Sequence, residues 1–170
     1  MNAHHRVKAF VTLVAFSILN GCIPSHVWKS QPEIQKVRNT AFDAEISPCC
    51  SSAGCASFVL KVRNKTDRNL EIDWDKTLFV SKNQIRGGFN FEGIESKNRQ
   101  AQRRSDVILP GCSMTTSIRP NDLKYYSSGK YGGWLQPMSS GENGVYLTVV
   151  IDGREFSEKL TVDLSPVHIN

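Results

Sequence analysis

The dipeptide Asp152-Gly153 is the feature that most narrows what this chain can become. It stands between two runs, Val145 to Ile151 and Arg154 to Val162, that read as strands. A two-residue Asp-Gly loop tolerates positive φ at both positions, and its twist then matches the right-handed twist of the strands it joins. Pairing Ile151 with Arg154 sets Val149 opposite Phe156 and Val145 opposite Leu160 on one face. The other face carries Tyr146 opposite Lys159, Thr148 opposite Ser157 and Val150 opposite Glu155. One face is apolar and the other mixed, as a strand pair covered on a single side requires. Glu158 falls opposite Leu147 on the apolar face, so a bulge or an uncovered strand end is expected there.

The same period of two recurs upstream. Phe42, Ala44 and Ile46 alternate with polar neighbours until Pro48. Phe58, Leu60 and Val62 then share a face, followed by a turn-forming stretch from Asn64 to Asn69 and a return through Leu70, Ile72 and Trp74. Glu71, Asp73 and Asp75 fall on the wet face of that return, which explains them without a metal or catalytic role. Shorter runs follow at 78–80, 87–94 and 107–109, then Pro110-Gly111 as a turn, then Met114, Thr116 and Ile118. About seven to nine strands with no long helix predict an all-β fold, an antiparallel β-sandwich. The predicted domain covers residues 41–165. Residues 22–40 hold Pro24, Pro32 and a single large apolar group, Trp28, and read as a flexible tether. The succession Asn64-Lys65-Thr66, Ile72-Asp73-Trp74, Ile108 to Ser113 and the Asp152-Gly153 hairpin resembles small immunoglobulin-like domains of bacterial envelope proteins. That resemblance spans most of 57–162 and brings no functional residues with it.

The N-terminal segment has a separate job. Arg6 and Lys8 precede eleven mostly apolar residues, Ala9 to Leu19, too few for a bilayer core that needs about 20. Such a layout is an export signal rather than a fold element. It ends in Leu19-Asn20-Gly21-Cys22, which resembles the lipobox of bacterial lipoproteins. The resemblance implies cleavage after residue 21 and diacylglycerol plus a further acyl chain, such as palmitate, on Cys22. Several chains hold a membrane stably where one does not. Ile23, rather than Asp, follows the cysteine, and the resemblance then implies the outer membrane before the inner.

An exported chain of this kind uses cysteines in pairs. Cys49, Cys50, Cys55 and Cys112 are therefore disulfide candidates. Cys49 and Cys50 are neighbours, too close to suit each other. One local bridge across residues 51–54 and one long-range bridge to Cys112 are expected, with the partner of each left open between Cys49 and Cys50. A thiolate metal site on Cys49, Cys50 and Cys55 is the alternative, but the spacing matches no common zinc pattern.

Composition sets aside several functions. Loss of residues 1–21 takes Arg6 and Lys8, so the formal charge of +5 falls by two, too little for a nucleic-acid binder without a strong basic stripe. Lys97, Arg99, Arg103 and Arg104 form the one basic cluster and are candidates for binding an anion. Only His26 and His168 remain after cleavage, no phosphate loop is present, and no catalytic set, cofactor or metal is implied. The stretch from Asp122 to Gly144 is long for a loop and holds Tyr125, Tyr126, Tyr131, Trp134 and Met138 among glycines. These are candidates for contacting a partner, or for plugging an end of the sandwich. The expected function is a non-catalytic, lipid-anchored binding or assembly module for another envelope component. The alternatives are a glycan or anionic-lipid binder, or a cysteine-based protein. The mature N-terminus is expected to be an acylated Cys22; mass spectrometry that found an unmodified Met1 would remove both the anchor and the compartment.

Overall fold

The structure is a computed structural model and describes residues 26–91, 105–123, 125–127 and 133–169. Its described elements are all strands, paired antiparallel. One sheet has the order β2 (Gln35–Arg38), β3 (Phe42–Ser51), β4 (Gly54–Asn64), β10 (Ser113–Pro120), β8 (Phe89–Phe91). The other has the order β1 (His26–Gln31), β14 (Arg154–His168), β13 (Gly141–Ile151), β5 (Leu70–Ile72), β9 (Asp106–Ile108). In this second sheet β6 (Leu78–Ser81) also pairs with β13, and β7 (Gln84–Gly87) pairs with β6. A separate ribbon joins β11 (Tyr125–Ser127) to β12 (Gly133–Leu135).

The alternation of side chains decides which faces meet. Phe42, Ile46, Phe58, Leu60, Val62 and Ile118 from the first sheet are fully buried, as are Leu70, Ile72, Val145, Leu147, Val149 and Leu160 from the second. They form one cluster between the sheets, and each such side chain contributes roughly 1.5–3 kcal/mol. Phe79 of β6 closes one region of it, with its ring 6.5 Å from Phe58 and 6.3 Å from Phe89.

The β13–β14 hairpin has the register read from the sequence, with Ile151 paired to Arg154 and Val145 to Leu160. Asp152 and Gly153 have φ of 47° and 75°. No bulge relieves Glu158. Its carboxylate instead accepts a hydrogen bond from Asn39 Nδ2 at 3.1 Å, and beyond it Phe156 is 38 % exposed, so the strand end is uncovered.

The described strands are more numerous than expected, and one of them ends early for a reason visible at Asp73. The strand read through Trp74 and Asp75 stops at Ile72. Asp73 Oδ1 accepts from the amides of Asp75 and Lys76, turning the chain so that β6 resumes pairing with β13. Thr148 fills the break: its amide donates to Thr77 Oγ1 at 3.2 Å, and its hydroxyl donates to the Lys76 carbonyl at 3.2 Å. The buried ladder groups thus keep partners where two short strands replace one long one.

The tether expected over residues 22–40 is also corrected within the described part. β1 and β2 are edge strands of the two sheets, and the chain passes between them at Gln31-Pro32, a cis peptide bond. Trp28 and Val37 pack against the core. Each strand leans on the sandwich with one large side chain, and prolines are tolerated at sheet edges, so the composition imitates a linker.

Asn64 organises the opposite corner. Fully buried, it donates through Nδ2 to the Ile108 carbonyl at 2.9 Å and the Arg68 carbonyl at 2.6 Å, and Oδ1 accepts from Thr66 N at 2.9 Å and Thr66 Oγ1 at 2.8 Å. Asn64→Ala is expected to cost about 2–3 kcal/mol by urea unfolding, because it strands buried partners. Lys65→Ala, which loses an exposed ion pair with Asp43, should cost less than about 1 kcal/mol.

Candidate functional site

Register shows which features share an end of the sandwich. His26 of β1 pairs with His168, the last residue of β14, while β13 begins opposite Leu164. Ser81, which leads into the β6–β7 turn, pairs with Asn143 two residues further along β13. On the other sheet this end carries the tip of the β3–β4 hairpin, since Trp28 and Ser30 line a depression together with Pro48 and Cys50. The chain entry, the disulfide hairpin, the β6–β7 turn and the segments flanking the β11–β12 ribbon therefore gather at one end. The Asp152-Gly153 turn and Asn64 mark the other.

At the gathered end, Met138 N donates to the Cys55 carbonyl at 2.8 Å, and Met138 is 1 % exposed. Pro137 lies against Gly54, whose φ is 131°; any side chain at Gly54 would run into the proline ring. Met138 is thus a core residue that helps close the sandwich, and its expected role as a partner contact is withdrawn. Tyr125 and Tyr126 of β11 pair with Leu135 and Trp134 of β12 in a ribbon that springs from this closure. Tyr131 lies outside the described residues, as do Cys22, Lys97, Arg99, Arg103 and Arg104.

The cysteine expectation is met in half. Cys50 and Cys55 form the local bridge. Cys49 and Cys112 are free and exposed. Their separation follows from the register: Cys49 pairs with Ser57, whereas the Cys112 carbonyl accepts from the amide of Asn64. The intervening stretch of β4 spans roughly 23 Å, so the long-range bridge to Cys112 is not formed. With Cys50 and Cys55 joined, one thiol of the possible thiolate trio remains, and among the described residues no group of three His, Cys, Asp or Glu could hold a metal.

Beside the Met138 closure lies a cleft of about 440 Å³. Its lining includes Phe79, Lys82, Arg86, Asp122, Met138 and Asn143. Lys82 and Asn83 both have positive φ, 50° and 60°, in a two-residue turn held from outside. Lys82 N donates to the Glu142 carbonyl at 2.9 Å, Asn83 N to Glu142 Oε1 at 3.1 Å, and Lys159 Nζ to Asn83 Oδ1 at 2.7 Å. Arg86 Nε reaches Asp122 Oδ2 at 3.3 Å. Asp122 and Asn143 each carry one buried oxygen, Oδ1, that has no hydrogen-bond partner among the described residues. Both oxygens are sealed from solvent, and an acceptor left so costs about 1–3 kcal/mol. No sequence period could have shown this cleft, because it is assembled from four separate segments.

A second feature missed in the sequence is a basic lattice on the outer face of the first sheet. Lys36, Glu45 and Lys61 align across β2, β3 and β4, and Arg38, Asp43 and Arg63 align in the next row. The Lys36 ammonium, 3.1 Å from Glu45, holds that carboxyl below its ordinary value of 4.5, helped by Lys61 at 3.6 Å and opposed by partial burial. Because the folded value is depressed, the stability it contributes is present at neutral pH and is lost as pH falls through the folded value.

No family model, curated protein or solved structure matches the chain.

Two outcomes follow from these contacts. Alkylation of the native protein should label Cys49 and Cys112, and Cys50 and Cys55 only after reduction; replacing both bridge cysteines by Ala should cost about 2 kcal/mol, from the entropy of a short loop. Glu45→Gln should lower stability by less than about 1 kcal/mol at neutral pH, and the difference from wild type should shrink as pH falls below 4.5 and vanish once pH lies under the depressed folded value, as read from urea midpoints against pH.

Proposed function

We propose that this protein is a lipid-anchored module of the bacterial cell envelope, acylated at Cys22 and held on the outer membrane, that binds another envelope component without catalysing a reaction. The observation that carries this reading is the gathering at one end of the chain entry, the disulfide hairpin, the cleft and the ribbon bearing Tyr125, Tyr126 and Trp134. Only residues 23–25 separate Cys22 from β1, a reach of about 14 Å at full extension. An anchor at Cys22 therefore holds that end close to the lipid surface, where the cleft and the ribbon meet whatever lies at or projects from the membrane. Aromatic side chains with polar edges suit such a boundary. The sandwich itself is read as immunoglobulin-like, on the strength of two antiparallel sheets whose strands cross repeatedly from one to the other.

Crosslinking in intact membranes followed by affinity recovery tests the proposal. Trp134→Ala and Tyr131→Ala are expected to lose one or more envelope proteins recovered with the wild type, at unchanged protein level. Undiminished recovery of every partner by both variants would count against it.

A further inference from the structure

We propose that the outer face of the first sheet is a docking surface for an acidic polypeptide segment of another protein, a surface separate from the ribbon end and independent of the anchor. The face is striped. Lys36 and Arg38 stand along β2, Asp43 and Glu45 along β3, and Lys61 and Arg63 along β4, in two rows that cross the three strands. All four of these cations are exposed. Both acids are already engaged from within: Glu45 lies 3.1 Å from Lys36 and 3.6 Å from Lys61, and Asp43 lies 3.3 Å from Lys65. The guanidiniums of Arg38 and Arg63 have no ion pair among the described residues, and both line one depression of about 150 Å³.

The sign and spacing of the stripes decide the occupant. The cations outnumber the acids on this face, so it attracts negative charge. The two cationic columns stand two strands apart, roughly 9.6 Å, with the acids of β3 between them. A uniformly anionic lipid surface laid over the face covers the Asp43–Glu45 column as well and is repelled there. An extended polypeptide is narrower and can follow one cationic column. Its alternate side chains share a face and recur about every 6.6 Å, which is also the step from Lys36 to Arg38 and from Lys61 to Arg63. Carboxylates at alternate residues thus meet both cations of a column, and each guanidinium takes a carboxylate through two parallel N–H donors. That shared two-residue period belongs to a polypeptide and selects it over an anionic glycan. Ser113 and Thr115, exposed on β10 beside Arg63 and Lys61, offer hydroxyls to the segment's polar groups.

The test is an amide NMR titration of the full chain in non-ionic detergent micelles with a synthetic peptide of alternating Glu and Ser. Saturable shifts are expected at Lys36, Arg38, Lys61 and Arg63, and binding should weaken about tenfold when salt rises from about 0.05 M to about 0.5 M. A peptide of alternating Gln and Ser should give none. Arg38→Gln combined with Arg63→Gln, both at exposed positions, should weaken binding about tenfold with the urea midpoint nearly unchanged. Should that variant lose its fold, the comparison of the two peptides on the wild type decides alone. The proposal is overturned by absence of saturable shifts, by equal binding of the two peptides, or by undiminished binding to a folded double variant. It is overturned equally if polygalacturonate or phosphatidylglycerol vesicles shift these residues as strongly as the Glu peptide. Shifts there that grow with protein concentration alone assign the face to a second copy and overturn it too. The two readings fail separately: partner recovery that depends on Trp134, with no peptide bound, removes this surface and leaves the binding module.

Discussion

Strand β13 is the member on which the rest of the structure depends. Along one edge it pairs with β14 through eleven consecutive positions, from Gly141 to Ile151. Along the other it receives β5 at Val149 to Ile151 and β6 at Asn143 to Tyr146. Val145, Leu147 and Val149 point from it into the core with no exposed surface. A strand paired on both edges must have every backbone group answered, and the gap between β5 and β6 threatens that condition. Asp73 N donates to the Thr148 carbonyl at 3.0 Å, and the hydroxyls of Thr77 and Thr148 add the remaining bonds, so the sheet stays continuous across the 73–77 turn.

That central strand also begins where the cleft is built. Glu142 answers the Lys82-Asn83 turn with both backbone and side chain, and one residue later Asn143 directs its amide hydrogens back to Ser139 and Gly141. The segment before it docks Pro137 and Met138 on the disulfide hairpin. These contacts tie the β6–β7 turn, the start of β13 and the disulfide hairpin together at one end of the sandwich.

Much of the sandwich was legible, and particular residues show why. Val145 through Leu160 revealed their register because Asp152-Gly153 is a turn whose length is set by its own chemistry. Phe42, Ala44 and Ile46, and Phe58, Leu60 and Val62, revealed their faces because alternation is a local property. The second two-residue turn, Lys82-Asn83, passed unread. Lysine carries no preference for positive φ, and Glu142 and Lys159, distant in sequence, hold the turn in place. β1 and β2 passed for a tether because an edge strand needs only one large side chain to stay attached. Met138 passed for a contact residue because an apolar side chain among glycines looks the same whether it faces water or fills the end of a core.

What the amino-acid order determined alone was the class of the fold, the faces of its long strands and one hairpin register, all consequences of interactions within a few residues. The proposed lipobox at Cys22 is equally local, a matter of four neighbouring residues. Tertiary structure decided the partner of Cys55, the fate of Cys112, the burial of Met138 and the convergence of Asp122 with Asn143. Each of those depends on which ends of which strands come together in space, and no local pattern records the distance between segments far apart in the chain.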